Sequence, residues 1–311
     1  MKPLRKNVAL AIDGGGIRGV IVAKALMMLE QALNMKSQQI FQLTAGTSTG
    51  AILAAGIASG LTARQMFDLY VELGADIFPK TWRSALWPLT RYRYENKPFL
   101  EHLQKQLGDR KMGDFWEPDA RRDVIITCFD MVENRSRFIK PWKDEYRDWP
   151  VVKAVLASST VPTYFPVVDG RYVDGGVGSY ANPSYLAAYE IKYCLNWDLS
   201  ETTLISLGTG RSPYAFLPDR SKEMQSWEWL GPVLGAFAQS ADDQQTHLVD
   251  RYFPDLDYRR FQIDLSKPVA MDAVEMIPRL AVYGDMMGRK ILNDQCETFD
   301  GLHPHNVEEI L

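Results

Sequence analysis

Three short stretches hold residues whose types and order suit acyl-transfer chemistry: Asp13-Gly14-Gly15-Gly16-Ile17-Arg18-Gly19, Gly46-Thr47-Ser48-Thr49-Gly50 and Asp174-Gly175-Gly176. A serine in a G-x-S-x-G run between a strand and a helix sits on a tight turn that pushes its hydroxyl out toward substrate. Ser48 is therefore the candidate nucleophile, with Gly46 and Gly50 letting the chain turn sharply and leaving room for an acyl group. A glycine turn that opens a helix leaves backbone N–H groups free to receive negative charge. Gly15 and Gly16 are the candidate donors to an oxyanion.

The serine also needs a base, and the usual imidazole is hard to find. The histidines are His102, His247, His303 and His305, and none follows a predicted strand end. Asp174 does end a predicted strand, and two glycines follow it, which brings a carboxylate to the mouth of a sheet. In contact with Ser48 it would take the proton on attack and return it to the leaving group. Partial burial would raise its pKa and help. On its own, Asp174-Gly175-Gly176 reads first as a turn.

The elements that must position these residues follow from the apolar pattern. Val8 to Ile12 is a short strand, and Ile17 to Leu33 repeats apolar residues every three or four positions, as an amphipathic helix does. Ile40 to Ala45 reads as a second strand and Ala51 to Ser59 as a small-residue helix. Helices are expected over Ala63 to Gly74 and Phe99 to Leu107, a buried strand over Asp123 to Asp130, and its hairpin partner over Arg137 to Lys140. Val151 to Ser158 is a short helix. Asp169-Gly170 marks a hairpin turn that leads to Asp174. Asn182 before Pro183 is a helix start, running to about Cys194. Thr203 to Leu207 and Arg260 to Leu265 are the last strands. Gly231, Pro232 and Gly235 predict a kinked or broken helix between Trp227 and Ala241, and Asp272 to Leu292 is the final amphipathic helix. Strands alternating with helices throughout imply a three-layer α/β sandwich with a mainly parallel central sheet. With no internal repeat and no long linker, 1–311 is expected to be one domain. The candidate cap or lid elements are 78–96, rich in Trp, Tyr and Arg, and 211–245.

Size and composition set limits on function. A chain of 311 residues buries a large core. A net charge of −4, with no basic run or basic-aromatic stripe, gives no reason to expect nucleic acid. Cys128, Cys194 and Cys296 are far apart and odd in number, so no CxxC and no disulfide framework can be read, and Cys128 lies in the apolar run VIITCF. The first apolar run, Val8 to Ile12, is only five residues long, too short for a secretory signal, and no stretch reaches the ~18 apolar residues of a membrane span. The expectation is a cytoplasmic protein, at most peripheral at a membrane.

The three motifs, in this order and roughly this spacing, together with the Ser158 to Pro166 lead-in, resemble the patatin-like phospholipases over about residues 7 to 210. The resemblance implies that Ser48 is the nucleophile and Asp174 its one partner. It also implies an oxyanion hole on Gly14, Gly15 and Gly16, with Arg18 holding that turn or meeting a phosphate. Thr49, Gly46, Gly50, Gly175 and Gly176 would support the site. The implied activity is a phospholipase A-type lipid acyl hydrolase acting on a glycerolipid or phospholipid at a membrane surface. It would need no cofactor and no metal, and its activity would survive EDTA. An acyltransferase using the same dyad and a silent lipid-binding scaffold are the alternatives. Homo-oligomerisation and a small activating ligand, such as the nucleotide second messenger that switches on some bacterial members, stay open. Gly14, Gly16 and Gly19 also match a dinucleotide fingerprint, but Leu43-Thr44-Ala45-Gly46 lacks the ribose-binding acid.

Overall fold

The computed structural model describes residues 1–79, 81, 89–118, 121–213 and 219–297, without the side chains of Leu73, Ala75, Trp227, Leu230, Gly231, Leu234, Phe237 and Ala238. In chain order the main elements are β1 (Asn7–Ile12), α1 (Gly19–Leu33), α2 (Ser37–Ile40), β2 (Leu43–Thr47), α3 (Thr49–Ala58), α4 (Ala63–Ile77) and α5 (Asn96–Leu107). They continue with β3 (Asp123–Asp130), β4 (Arg135–Ile139), α6 (Val151–Ser159), β5 (Tyr172–Asp174), α7 (Ser184–Tyr193), β6 (Thr202–Leu207), α8 (Leu230–Tyr252), β7 (Asp257–Phe261) and α9 (Ile277–Leu292).

Among the described residues seven strands form one sheet in the order β4-β3-β2-β1-β6-β7, with β5 added to β3. Pairs β1–β2, β1–β6, β2–β3 and β6–β7 are parallel, and β3–β4 and β3–β5 are antiparallel. The central strand β1 shows why this sheet reads as an unbroken apolar run. Val8, Leu10 and Ile12 face α1, α3, α4 and α9, while Ala9 and Ala11 face α7 and α8. A further cluster joins α3, α5 and α6 over Val124, Ile126 and Cys128 of β3. The sheet is thus covered on both sides, as expected for a three-layer α/β sandwich.

Several boundaries differ from expectation. Ile40 closes the short helix α2 and β2 begins only at Leu43, because Gln42 already spends its backbone and side chain on Val8 and Asp123. α7 begins at Ser184, and Asn182 accepts the Ser184 N–H at 2.9 Å. α8 is one uninterrupted helix rather than a broken one. Pro232 falls in its first turn, where a missing N–H costs no helical bond. β7 starts at Asp257 because two arginines in it, Arg259 and Arg260, are buried with partners. No helix of the described residues is long and apolar enough to cross a membrane. All three cysteines are free, with Cys128 buried.

Candidate active site

Register on β3 brings the two principal residues together. β4 occupies one flank of β3 from Ile126 to Asp130, so β2 and β5 must share the other flank. On that flank Thr47 lies opposite Thr127 and Asp174 opposite the next residue, Cys128. One residue of strand is about 3.3 Å, so β5 begins where β2 ends and Asp174 sits at the elbow that carries Ser48.

Ser48 links β2 to α3 with φ 56 and ψ −125, a conformation rare for a residue with a side chain. It is held by its neighbours. Its N–H donates to Ser158 Oγ at 2.9 Å, and its carbonyl accepts from Ser159 Oγ at 3.1 Å. Gly50 must be glycine, since a Cβ there would lie 2.2 Å from the Ile12 carbonyl oxygen. That contact seats the first turn of α3 directly on the end of β1. Gly46, at the end of β2, pairs with Ile12. Thr49 Oγ1 shares a short hydrogen bond with the Tyr70 hydroxyl, fastening α4 to the same turn.

Asp174 is 5% exposed. Its Oδ1 accepts the Gly176 N–H at 2.8 Å, and its own N–H donates to the Thr160 carbonyl at 3.1 Å. Gly175 packs against Thr127. Oδ2 is buried and closes no hydrogen bond of regular geometry. Burial pushes Asp174 up to about 6, against which the neighbouring Ser48 hydroxyl and the Gly176 N–H act. The Ser48 hydroxyl thus lies close enough to act on the carboxylate without being aligned to Oδ2.

The glycine turn narrows the expected set of donors. Gly14 is not free, because its N–H donates to the Ala181 carbonyl at 2.9 Å, and its place is spatial: a Cβ there would be 3.2 Å from Ser48 Cβ. The N–H groups of Gly15 and Gly16 donate to no group among the described residues, and neither does that of Thr49 at the start of α3. Gly16 has φ +59 and packs against Met271. Arg18 holds the turn: its Nε donates to the Gly15 carbonyl at 3.2 Å and its Nη1 to the Gly210 carbonyl at 2.9 Å. Thr209 Oγ1 donates to the Gly14 carbonyl at 2.5 Å.

A narrow apolar cleft runs from Ser48 and Gly16 between α3, α4 and α5. Its walls include Ile52, Ile77, Phe78, Phe99 and Phe165, and Tyr70 and Tyr164 supply the few polar edges. Phe78, at the start of the aromatic stretch 78–96, lines this cleft and packs edge-on to Tyr94 at 5.2 Å and near Phe165 at 5.9 Å. Trp82, Arg83, Leu86 and Trp87 of that stretch lie outside the described residues, as do 214–218 of the second candidate cap and His303 and His305. His102 is at the surface against Asp76, and His247 is exposed; neither lines the cleft. Among the described residues no group of three or more His, Cys, Asp or Glu could hold a metal ion. The Ser158 to Pro166 lead-in was singled out in the sequence, but the contacts that Ser158, Ser159, Thr160 and Thr209 make escape sequence reasoning, since each is an ordinary small polar residue placed only by where the chain folds.

Fold and elbow together define the class, an α/β protein with a serine-hydrolase-type strand–helix elbow. The chain belongs to the patatin-like phospholipase family, whose description matches residues 10–187. It is 27% identical over 238 residues to the cGAMP-activated phospholipase of Vibrio cholerae, covering 67% of this chain and 66% of that one. With the 85/88 kDa calcium-independent phospholipase A2 of Mus musculus it shares 29% over 258 residues, covering 73% and 30%. It spans just under two thirds of the cGAMP-activated phospholipases of Vibrio cholerae and Escherichia coli, 66% and 64%. Among solved structures it is similar to VipD from Legionella pneumophila, with a TM-score of 0.48, 13% identity and coverage of 96% and 68%.

Proposed function

We propose that this protein is a lipid acyl hydrolase of the phospholipase A type, working through Ser48 and Asp174. The observation that carries the reading is a buried carboxylate oxygen without a partner, Asp174 Oδ2, beside a serine on a strand–helix elbow at the head of an apolar cleft. Ser48 Oγ attacks the ester carbonyl while its proton passes to Asp174. The tetrahedral oxygen is received by the N–H groups of Gly15 and Gly16. Collapse breaks the ester C–O bond, and Asp174 returns the proton to the departing alcohol. Water then repeats the sequence on the acyl-serine, losing its proton to Asp174 and releasing a fatty acid. One oxyanion donor in such a site contributes ~3 kcal/mol. An apolar lining suits an acyl chain better than a charged or sugar substrate, and the relatives' names point the same way.

Mixed phospholipid liposomes, with product lipids read by mass spectrometry, test this. The wild-type protein should release fatty acid and lysolipid, while Ser48→Ala and Asp174→Asn should fold and release neither. Transfer of the acyl group to an added alcohol in preference to water would make the protein an acyltransferase. An active Asp174→Asn protein would remove the dyad.

A further inference from the structure

The proposed dyad leaves unused a buried charged cluster directly behind the glycine turn. Arg260 on β7 is fully buried. Its Nη1 donates to Asp13 Oδ1 at 2.9 Å and Ser206 Oγ at 2.8 Å, and its Nη2 to Asp13 Oδ2 at 2.5 Å and Asp242 Oδ1 at 2.7 Å. Asp13 is the residue that leads into Gly14. Asp242 Oδ1 also accepts from Asn182 Nδ2 at 2.7 Å. Asn182 directly follows Ala181, whose carbonyl takes the Gly14 N–H, and the same segment runs back through the Tyr180 N–H on the Gly175 carbonyl to Asp174. Both halves of the site are therefore backed onto one guanidinium.

A buried ion cluster is weak evidence for stability, because apolar packing of the same volume often serves as well. A planar, bidentate guanidinium does something apolar packing cannot: it fixes the distance and angle between two chain segments. We propose that Arg260 is a positioning residue. Through Asp13 on one side and through Asp242 and Asn182 on the other, it sets the glycine turn against the Asp174 segment, so that donors and base converge on Ser48. The catalytic consequence rests on the hydrolase reading above; the coupling of the two segments does not.

Arg259, next in the strand, gives a matched control. It is also buried, but its guanidinium bonds Asp257 and the carbonyls of Lys2 and Pro3, away from the site. Arg260→Met, Arg260→Lys and Arg259→Met would be compared for kcat and KM on a soluble p-nitrophenyl acyl ester, well below each Tm. Hydrogen exchange would be followed over residues 13–19 and 179–184. Arg260→Met should lower kcat by about tenfold or more with KM within about twofold, and Arg260→Lys should recover part of the loss. Exchange in both segments should rise together in Arg260→Met and not in Arg259→Met. A kcat within about twofold of wild type in folded Arg260→Met, or exchange rising no more than in Arg259→Met, overturns the proposal. If Arg260→Met does not fold, Arg260→Lys carries the comparison. A wild-type protein inactive on every ester, with the exchange coupling intact, would fail the hydrolase reading and leave the coupling standing.

Discussion

Asp174, the proposed base, is buried at the expense of stability. Its folded pKa, about 6, lies above the usual carboxylate value because burial penalises the charge. The folded state therefore holds a proton that the unfolded chain releases. That stabilisation is complete below about pH 4 and is lost as pH rises through about 6. As a base the group works only when ionised, so kcat/KM should fall below an apparent pKa of about 6; a flat profile down to pH 4.5 would contradict it. Asp174→Asn cannot ionise and escapes a cost on the order of 2–3 kcal/mol. Asp174→Asn should thus melt several degrees above wild type at pH 8, as scanning calorimetry would show. At this scale the strand–helix elbow at Ser48 and the strand end at Asp174 were legible because glycines flank or follow each. Arg260 was not, since nothing local distinguishes an arginine that will be buried.

Elements place these residues through contacts that tolerate no extra atom. α3 sits on β1 by way of Gly50, and a methyl group there would meet the Ile12 carbonyl at 2.2 Å. Gly50→Ala should cost about 2–4 kcal/mol by thermal or urea unfolding and lower kcat/KM, because Ser48 opens that helix. Gly235→Ala in α8 is the contrast: with nothing within 4 Å of the added Cβ, it should stabilise by up to about 1 kcal/mol. Element types were readable from periodicity, but their ends were not. Pro232 looks like a break in the sequence and is harmless in a first turn. Asp257-Tyr258-Arg259 lies before the strand expected from Arg260 and is nonetheless strand, because the charges here find partners from the N-terminal segment, the turn after β1 and α8.

The whole molecule depends on α9 closing over α1. Gly284 makes the close approach possible, as a Cβ there would lie 2.5 Å from Lys24 Cβ and 2.8 Å from the Ile21 carbonyl. Gly284→Val should force the helices apart and lower Tm by on the order of 5–10 °C, measured by circular dichroism; an unchanged Tm would mean the layer is held elsewhere. The layered α/β plan was legible in the alternation of apolar runs. The pairing of β5 with β3 was not, because three residues carry too little pattern to choose a partner. The cleft draws its walls from segments far apart in sequence, Gly16 and Met271 among them, and Arg260 also lies far downstream of Ser48. A ribosome that has delivered Ser48 and even Asp174 still holds a polypeptide without the wall at Met271 or the guanidinium behind the turn. The apolar wall is therefore complete only once the ribosome has passed Met271.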